Sequence, residues 1–120
     1  MRLFVAFAVV AAFSLGACKS NEKPIYLTCG DSAGKLVGEA GTKYRISCPQ
    51  LCTNGSLWGS DPYTADSSVC KAAIHAGALK PAGGEATVII KGGEPKFDGT
   101  TKNGVTSASW GKYDRTFTFD

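Results

Sequence analysis

Histidine and methionine are almost missing from this chain of 120 residues, which holds one of each. With His75 the single imidazole, any Ser–His or Cys–His nucleophilic mechanism must be built on it. Ser68 and His75 stand seven residues apart in a helical stretch, about 10 Å along the axis. Ser107 or Ser109 would have to approach from another strand. No pair of carboxylates has the setting of an acid and a base, and Asp61 and Asp66 read as turn and cap residues. The glycine-rich Pro81–Gly84 lacks a phosphate-loop signature. Excess charge is scarce too, with 13 basic against 10 acidic side chains and no polybasic run. That argues against a nucleic-acid partner. After the first 17 residues no segment approaches the ~20 apolar residues of a membrane-spanning helix. The length fits one domain. The expectation is a non-enzyme with no cofactor and no metal.

What is present begins with a leader. Arg2 gives a positive start, Leu3–Phe13 is an apolar run of signal-peptide length, and small residues follow. Leu15-Gly16-Ala17-Cys18 resembles the lipobox of bacterial lipoproteins: a branched apolar side chain, two small residues at the cut, then a thiol. Residues 1–17 therefore read as a lipoprotein signal peptide, and Cys18 as the lipidated mature N-terminus. Several acyl chains, at ~0.8 kcal/mol per buried CH₂, anchor stably where one is marginal. Lys19, where Asp would favour inner-membrane retention, points to the outer membrane of a host that has two. Residues 18–28 read as anchor, polar tether and start of the first strand, with the domain at 29–119. The tether KSNEKP reaches about 20 Å.

Along the mature chain, Ile25–Cys29, Tyr44–Cys48, Ala86–Lys91, Val105–Trp110 and Arg115–Phe119 are expected strands, rich in β-branched and aromatic residues. Asn103-Gly104 marks a two-residue hairpin, whose type I′ turn needs positive φ at both positions. Alternation in Arg115–Phe119 puts Phe117 and Phe119 inward and Thr116 and Thr118 outward. Thr53–Ala65 is expected to be irregular. Asp66–Leu79 is the one expected helix, capped by Asp66 or Ser67 and ended near Gly77 and Pro81. It is apolar around most of its circumference, with Lys71 and His75 as its one polar edge, so it should be buried. His75 then reads as a hydrogen-bonded structural residue.

With Cys18 assigned to lipid, Cys29, Cys48, Cys52 and Cys70 remain, an even number in an exported chain, which implies two disulfides with three connectivities open. The single C-x3-C with long gaps on both sides suits neither structural zinc nor a thioredoxin-like dithiol.

Cys48-x3-Cys52, Trp58-Gly59, Tyr63-Thr64 and Asp66-Ser67-Ser68-Val69-Cys70-Lys71-Ala72-Ala73-Ile74-His75-Ala76-Gly77 together resemble the LCCL domain. The likeness continues through Gly83-Gly84, Asn103-Gly104-Val105 and Arg115–Phe119. It departs at Thr116, where Ser is usual, and at Asp114, where Gly is common. The resemblance implies an α+β fold, β-strands wrapped around one buried central helix, with Cys29–Cys48 and Cys52–Cys70 as the disulfides. It also implies a non-catalytic extracellular module; some members are linked with binding of lipopolysaccharide or other microbial surface components.

The leading functional expectation is thus a lipid-anchored, non-catalytic binding module of the cell envelope. Its partners would be the membrane, through the lipid on Cys18, and an envelope lipopolysaccharide, glycan or protein. Alternatives are a small envelope hydrolase using His75 and a purely structural lipoprotein. Trp58, Tyr63, Tyr113 and Lys112 are the candidate ligand-binding residues, with Trp110 a further stacking candidate. Lys71, Lys96, Lys102 and Arg115 are further cations for anionic sugars.

Overall fold

The computed structural model of the protein describes residues 23–36 and 38–120. The leader, the lipobox and Cys18 lie outside the described residues. In chain order the elements are β1 (Ile25–Tyr26), a 3-10 turn (Ala33–Lys35), β2 (Lys43–Cys48), β3 (Tyr63–Thr64), α1 (Val69–Ala76), β4 (Gly84–Glu94), β5 (Thr101–Lys102), β6 (Val105–Thr106) and β7 (Tyr113–Phe119). The fold is α+β. Five strands form one sheet in the order β1-β2-β4-β7-β3, and β5–β6 is a separate hairpin. All sheet neighbours are antiparallel except β1, which runs parallel to β2 at the edge.

The sheet has one apolar face. Ile46 and Cys48 of β2, Val88 and Ile90 of β4 and Phe117 of β7 are buried at alternate positions, as a period of two requires. They form one core with Val69, Cys70, Ala72, Ala73 and Ile74 of α1. The small side chains of the helix leave room for backbone on its far side, where the hairpin sits. There the Asn103 amide donates to the His75 carbonyl at 3.0 Å. The helix is therefore enclosed between the sheet and the hairpin.

Several expected boundaries move. The first strand stops at Tyr26 because the next residues turn: the Asp31 carboxylate accepts from the Thr28 N–H at 2.8 Å. That bond and Lys35 hold the Asp31 carboxyl below its ordinary range. The helix starts at Val69, not Asp66, and Ser68 caps it by accepting from the Lys71 N–H. Ser67 is instead occupied upstream, accepting from the Trp58 N–H at 2.9 Å and bonded to the Thr64 hydroxyl at 2.9 Å. The C-terminal end closes with Ala78 N–H on the Ala73 carbonyl at 2.8 Å, past a left-handed Gly77. The tight hairpin is present, with Asn103 at φ 51° and Gly104 at φ 76°. Beyond it, Val105–Trp110 is strand only at Val105–Thr106. The rest makes single bridges, Trp58 to Ala108 and Phe97 to Trp110.

The disulfides pair Cys29 with Cys52 and Cys48 with Cys70. The expected Cys29–Cys48 and Cys52–Cys70 are overturned, and the reason lies in strand direction. Because β1 is parallel to β2 with Tyr26 opposite Ser47, continuing that register carries Cys29 beyond Cys48 toward the turn that holds Cys52. Cys48 shares the inward face of β2 with Ile46 and meets the first turn of α1, where Cys70 sits. Loop length is nearly equal in both schemes, so it could not discriminate.

Thr116 also departs from expectation: it is fully buried. β7 is an interior strand, and Thr116 lies between Lys91 of β4 and Thr64 of β3. Its hydroxyl donates to the Gly92 carbonyl at 2.7 Å.

Candidate functional site

The polar edge expected at Lys71 and His75 exists only at Lys71. His75 is 0% exposed. Its Nε2 lies 3.1 Å from the Thr100 carbonyl oxygen, and its Nδ1 2.9 Å from the Tyr63 hydroxyl. A carbonyl only accepts, so Nε2 carries the proton and Nδ1 accepts from the phenol. Burial pushes the Tyr63 phenol far above its ordinary pKa, with Asp61 adding to the shift, so it stays a donor. A substrate has no approach to this imidazole, which leaves a hydrolase centred on it without an accessible base. Its chemistry is to tie α1 to β3 on one side and to the loop before β5 on the other.

Tyr63 is likewise withdrawn from any ligand. It is 0% exposed, with ring centroids of His75 and Phe117 each at 5.6 Å and Phe119 at 6.2 Å. The two-residue β3 pairs Tyr63 with Phe117 on β7, and that pairing turns the ring into the core. Nothing in the irregular composition of Thr53–Ala65 reveals a strand so short. Replacing Tyr63 by Phe should leave the buried Nδ1 without its donor and cost about 1–3 kcal/mol. Chemical denaturation measures this; an unchanged midpoint would show that the hydroxyl contributes nothing.

Tyr113 and Lys112 occupy another place. Lys112 is exposed and Tyr113 half-buried, and both line an open depression with Asp114 and Arg115. Burial first, then Asp66 and Asp114, raise the Tyr113 phenol above its usual range. Arg115 turns away, donating to the Ala33 and Leu36 carbonyls, and so holds the 3-10 turn against β7. Lys96 pairs with Asp98 at 3.7 Å. Lys102 is exposed on the hairpin. The cations are thus dispersed and partly committed to the fold.

The tryptophans come together. Trp58 is half-buried, Trp110 is 52% exposed, and their ring centroids are 5.9 Å apart with planes inclined by 58°. Their backbones are clamped. The Ala108 N–H donates to the Leu57 carbonyl at 2.8 Å, and the Gly59 N–H to the Ala108 carbonyl at 3.0 Å. Trp110 and Phe97 exchange both backbone hydrogen bonds, at 2.8 and 3.0 Å. Gly59 is required beside Trp58: its φ is +100°, and a Cβ there would lie 2.6 Å from the Pro62 carbonyl oxygen. Next to Trp58 opens a shallow cavity of about 310 Å³, lined by Gly55–Trp58, Lys71 and Thr106–Ala108. Lys71 reaches it from α1, donating to the Gly55 carbonyl at 2.8 Å. Among the described residues no group of three or more His, Cys, Asp or Glu side chains is placed to hold a metal ion.

This arrangement can stack a ring-shaped ligand, offer hydroxyl and backbone groups at its rim and present one ammonium. It brings Trp58 and Lys71 to one cavity, with Trp110 against Trp58 outside the cavity lining, and excludes Tyr63. Trp110, a further stacking candidate at the end of an expected strand, stands 52% exposed beyond the two-residue strand that forms there.

Comparison with known proteins agrees with the fold. The family model described as LCCL domain matches residues 27–117. Clotting factor C of Tachypleus tridentatus is 39% identical over 94 residues, 77% of this chain and 9% of that protein. Vitrin of Homo sapiens is 32% identical over 93 residues, 76% of this chain and 13% of that protein. Cochlin of Homo sapiens is 27% identical over 122 residues, 92% of this chain and 22% of that protein. The chain therefore matches a small part, 9 to 22%, of the length of these relatives. With the cysteine framework, the capped helix and the tight hairpin in place, the chain belongs to the LCCL domain family.

Proposed function

We propose that the protein is a lipid-anchored, non-catalytic binding module of a cell envelope. Its ligand is an envelope glycan, lipopolysaccharide or protein, and it is carried on the outer membrane where the host has one. The observation that supports ligand binding most is the Trp58–Trp110 pair: aromatic surface on backbone clamped by hydrogen bonds, with Trp58 half-buried and Trp110 52% exposed. Exposed tryptophan is a costly choice for a surface with no partner, and a preorganised ring loses little freedom when a ligand covers it. The buried His75 argues against an enzyme built on that residue. The sequence of the leader, with Cys18 behind Leu15-Gly16-Ala17, supports the anchor.

The binding test uses the full-length chain extracted from membranes in detergent, probed with purified lipopolysaccharide, envelope polysaccharides and envelope proteins. Removing a central tryptophan from a binding face costs on the order of 2 kcal/mol, about 30-fold in affinity. Trp110→Ala should show that loss with an unchanged fold; wild-type affinity in this variant would sink the proposed face. The anchor has its own test. Cys18→Ser should accumulate as unprocessed or released protein on membrane fractionation, and normal membrane retention would remove Cys18 from the lipid assignment.

A further inference from the structure

The cavity beside Trp58 carries more chemistry than aromatic surface. Resting on the binding reading above, we infer that the cavity lined by Trp58 and Lys71, with Trp110 packed beside Trp58, is a subsite for a uronic-acid-type pyranose, one sugar ring bearing a single carboxylate.

Three features lead there. A β-linked pyranose with equatorial hydroxyls has axial C–H groups on its faces, apolar and slightly positive. That matches the negative face of an indole. Trp58 presents its indole to the cavity, and Trp110, 52% exposed and inclined by 58° beside it, forms the second wall of an angle and not a flat sheet. A flat apolar partner would cover two coplanar rings better; a puckered ring with hydroxyls at its rim fits the angle. The cavity next to it, about 310 Å³, lies at the small end of ligand pockets, which run from about 300 to 1,000 Å³. It is sized for a short saccharide segment.

Charge narrows the class. Lys71 is the one charged side chain lining this cavity. Its ammonium has three donors and spends one on the Gly55 carbonyl, which fixes its position and leaves two for a ligand. Among the described residues no carboxylate lies within 4 Å of it. One ammonium matches one carboxylate. A phosphate monoester carries about −1.5 to −2 charges at neutral pH and would be left undercompensated here. The rim adds the exposed Ser56 and Thr106 hydroxyls, whereas the Ser107 hydroxyl is buried and held by the backbone of Thr100.

The test compares two β-1,4-linked tetrasaccharides that differ at C6: tetraglucuronate, with carboxylates, and cellotetraose, with hydroxymethyl groups. Binding to the full-length chain in detergent is read by calorimetry and by tryptophan fluorescence. Tetraglucuronate should bind at least ten-fold more tightly than cellotetraose. Lys71→Gln should shrink that preference below two-fold while keeping cellotetraose binding, and Lys71→Arg should retain it. Near-ultraviolet circular dichroism checks that both variants are folded; the arginine variant carries the test should the glutamine variant unfold, since loss of preference in a folded Lys71→Arg chain overturns the assignment. Equal affinity for the two sugars, or a preference unchanged in Lys71→Gln, also overturns it. A wild-type chain that binds an envelope component through Trp110 but neither tetrasaccharide overturns the uronic-acid subsite and leaves the binding module standing. Envelope binding that ignores Trp110→Ala brings down both.

Discussion

A chain in which Cys48 and Cys70 are both replaced by Ala should lose about 3 kcal/mol of stability. The bridge spans 22 residues, and loop-closure entropy in the unfolded chain gives that value for a ring of this size. Two effects act in addition. Both sulfurs are buried in the core, so their removal leaves poorly filled space between β2 and α1. The two bridges also interleave, Cys29–Cys52 enclosing Cys48 and Cys48–Cys70 enclosing Cys52, so each restricts a chain already restricted by the other. Against a total of about 5–15 kcal/mol for a domain, such a loss lowers the melting temperature by on the order of 15 °C. Calorimetry of the double variant measures it, and a shift of less than a few degrees would contradict the account. Peptide mapping without reduction should recover Cys29 linked to Cys52 and Cys48 linked to Cys70. A Cys48–Cys52 fragment as the main species would break both the connectivity and the parallel placement of β1.

Phe117→Ala should be at least as damaging. Phe117 is fully buried and stands where β7 meets Ile90 of β4 on one side and Tyr63 of β3 on the other. Its ring lies 5.6 Å from Tyr63 and 5.8 Å from Phe119. Truncating a buried phenylalanine costs about 3–5 kcal/mol, transfer and cavity terms together. Here the loss also unseats Tyr63, which supplies the donor to His75, so the Tyr63→Phe penalty should not add in full to it. Denaturation of Phe117→Ala and of the Tyr63→Phe/Phe117→Ala pair tests both statements. A Phe117→Ala chain within 1 kcal/mol of wild type, or full additivity in the pair, would show that this aromatic cluster is not the joint between β3, β7 and α1.

Sequence alone determined what depends on residue type and short spacing. The Asp66–Leu79 segment announced a buried helix because its apolar and small residues cover most of a 3.6-residue period, and the helix forms within it at Val69–Ala76. Asn103-Gly104 announced a type I′ hairpin because few other pairs tolerate positive φ twice. The spacing of Cys48, Cys52, Cys70, His75 and Gly77 carried the family resemblance, and with it the α+β architecture. Strand alternation placed Phe117 inward.

Tertiary structure decided whatever depends on which strands become neighbours. Ring size is nearly the same for either scheme of disulfides, so the direction of β1 relative to β2 chose the partners, and no local pattern encodes that direction. Thr116 is buried because β7 is interior to the sheet, a fact about order and not about alternation. Tyr63 went to the core and Trp110 to the surface for the same reason. A two-residue strand at Tyr63–Thr64 pairs its ring inward against Phe117, while the bridge from Phe97 to Trp110 holds the indole out beside Trp58. An aromatic side chain carries the same apolar surface in either setting. Only the long-range backbone pairing determines whether that surface meets the core or a ligand.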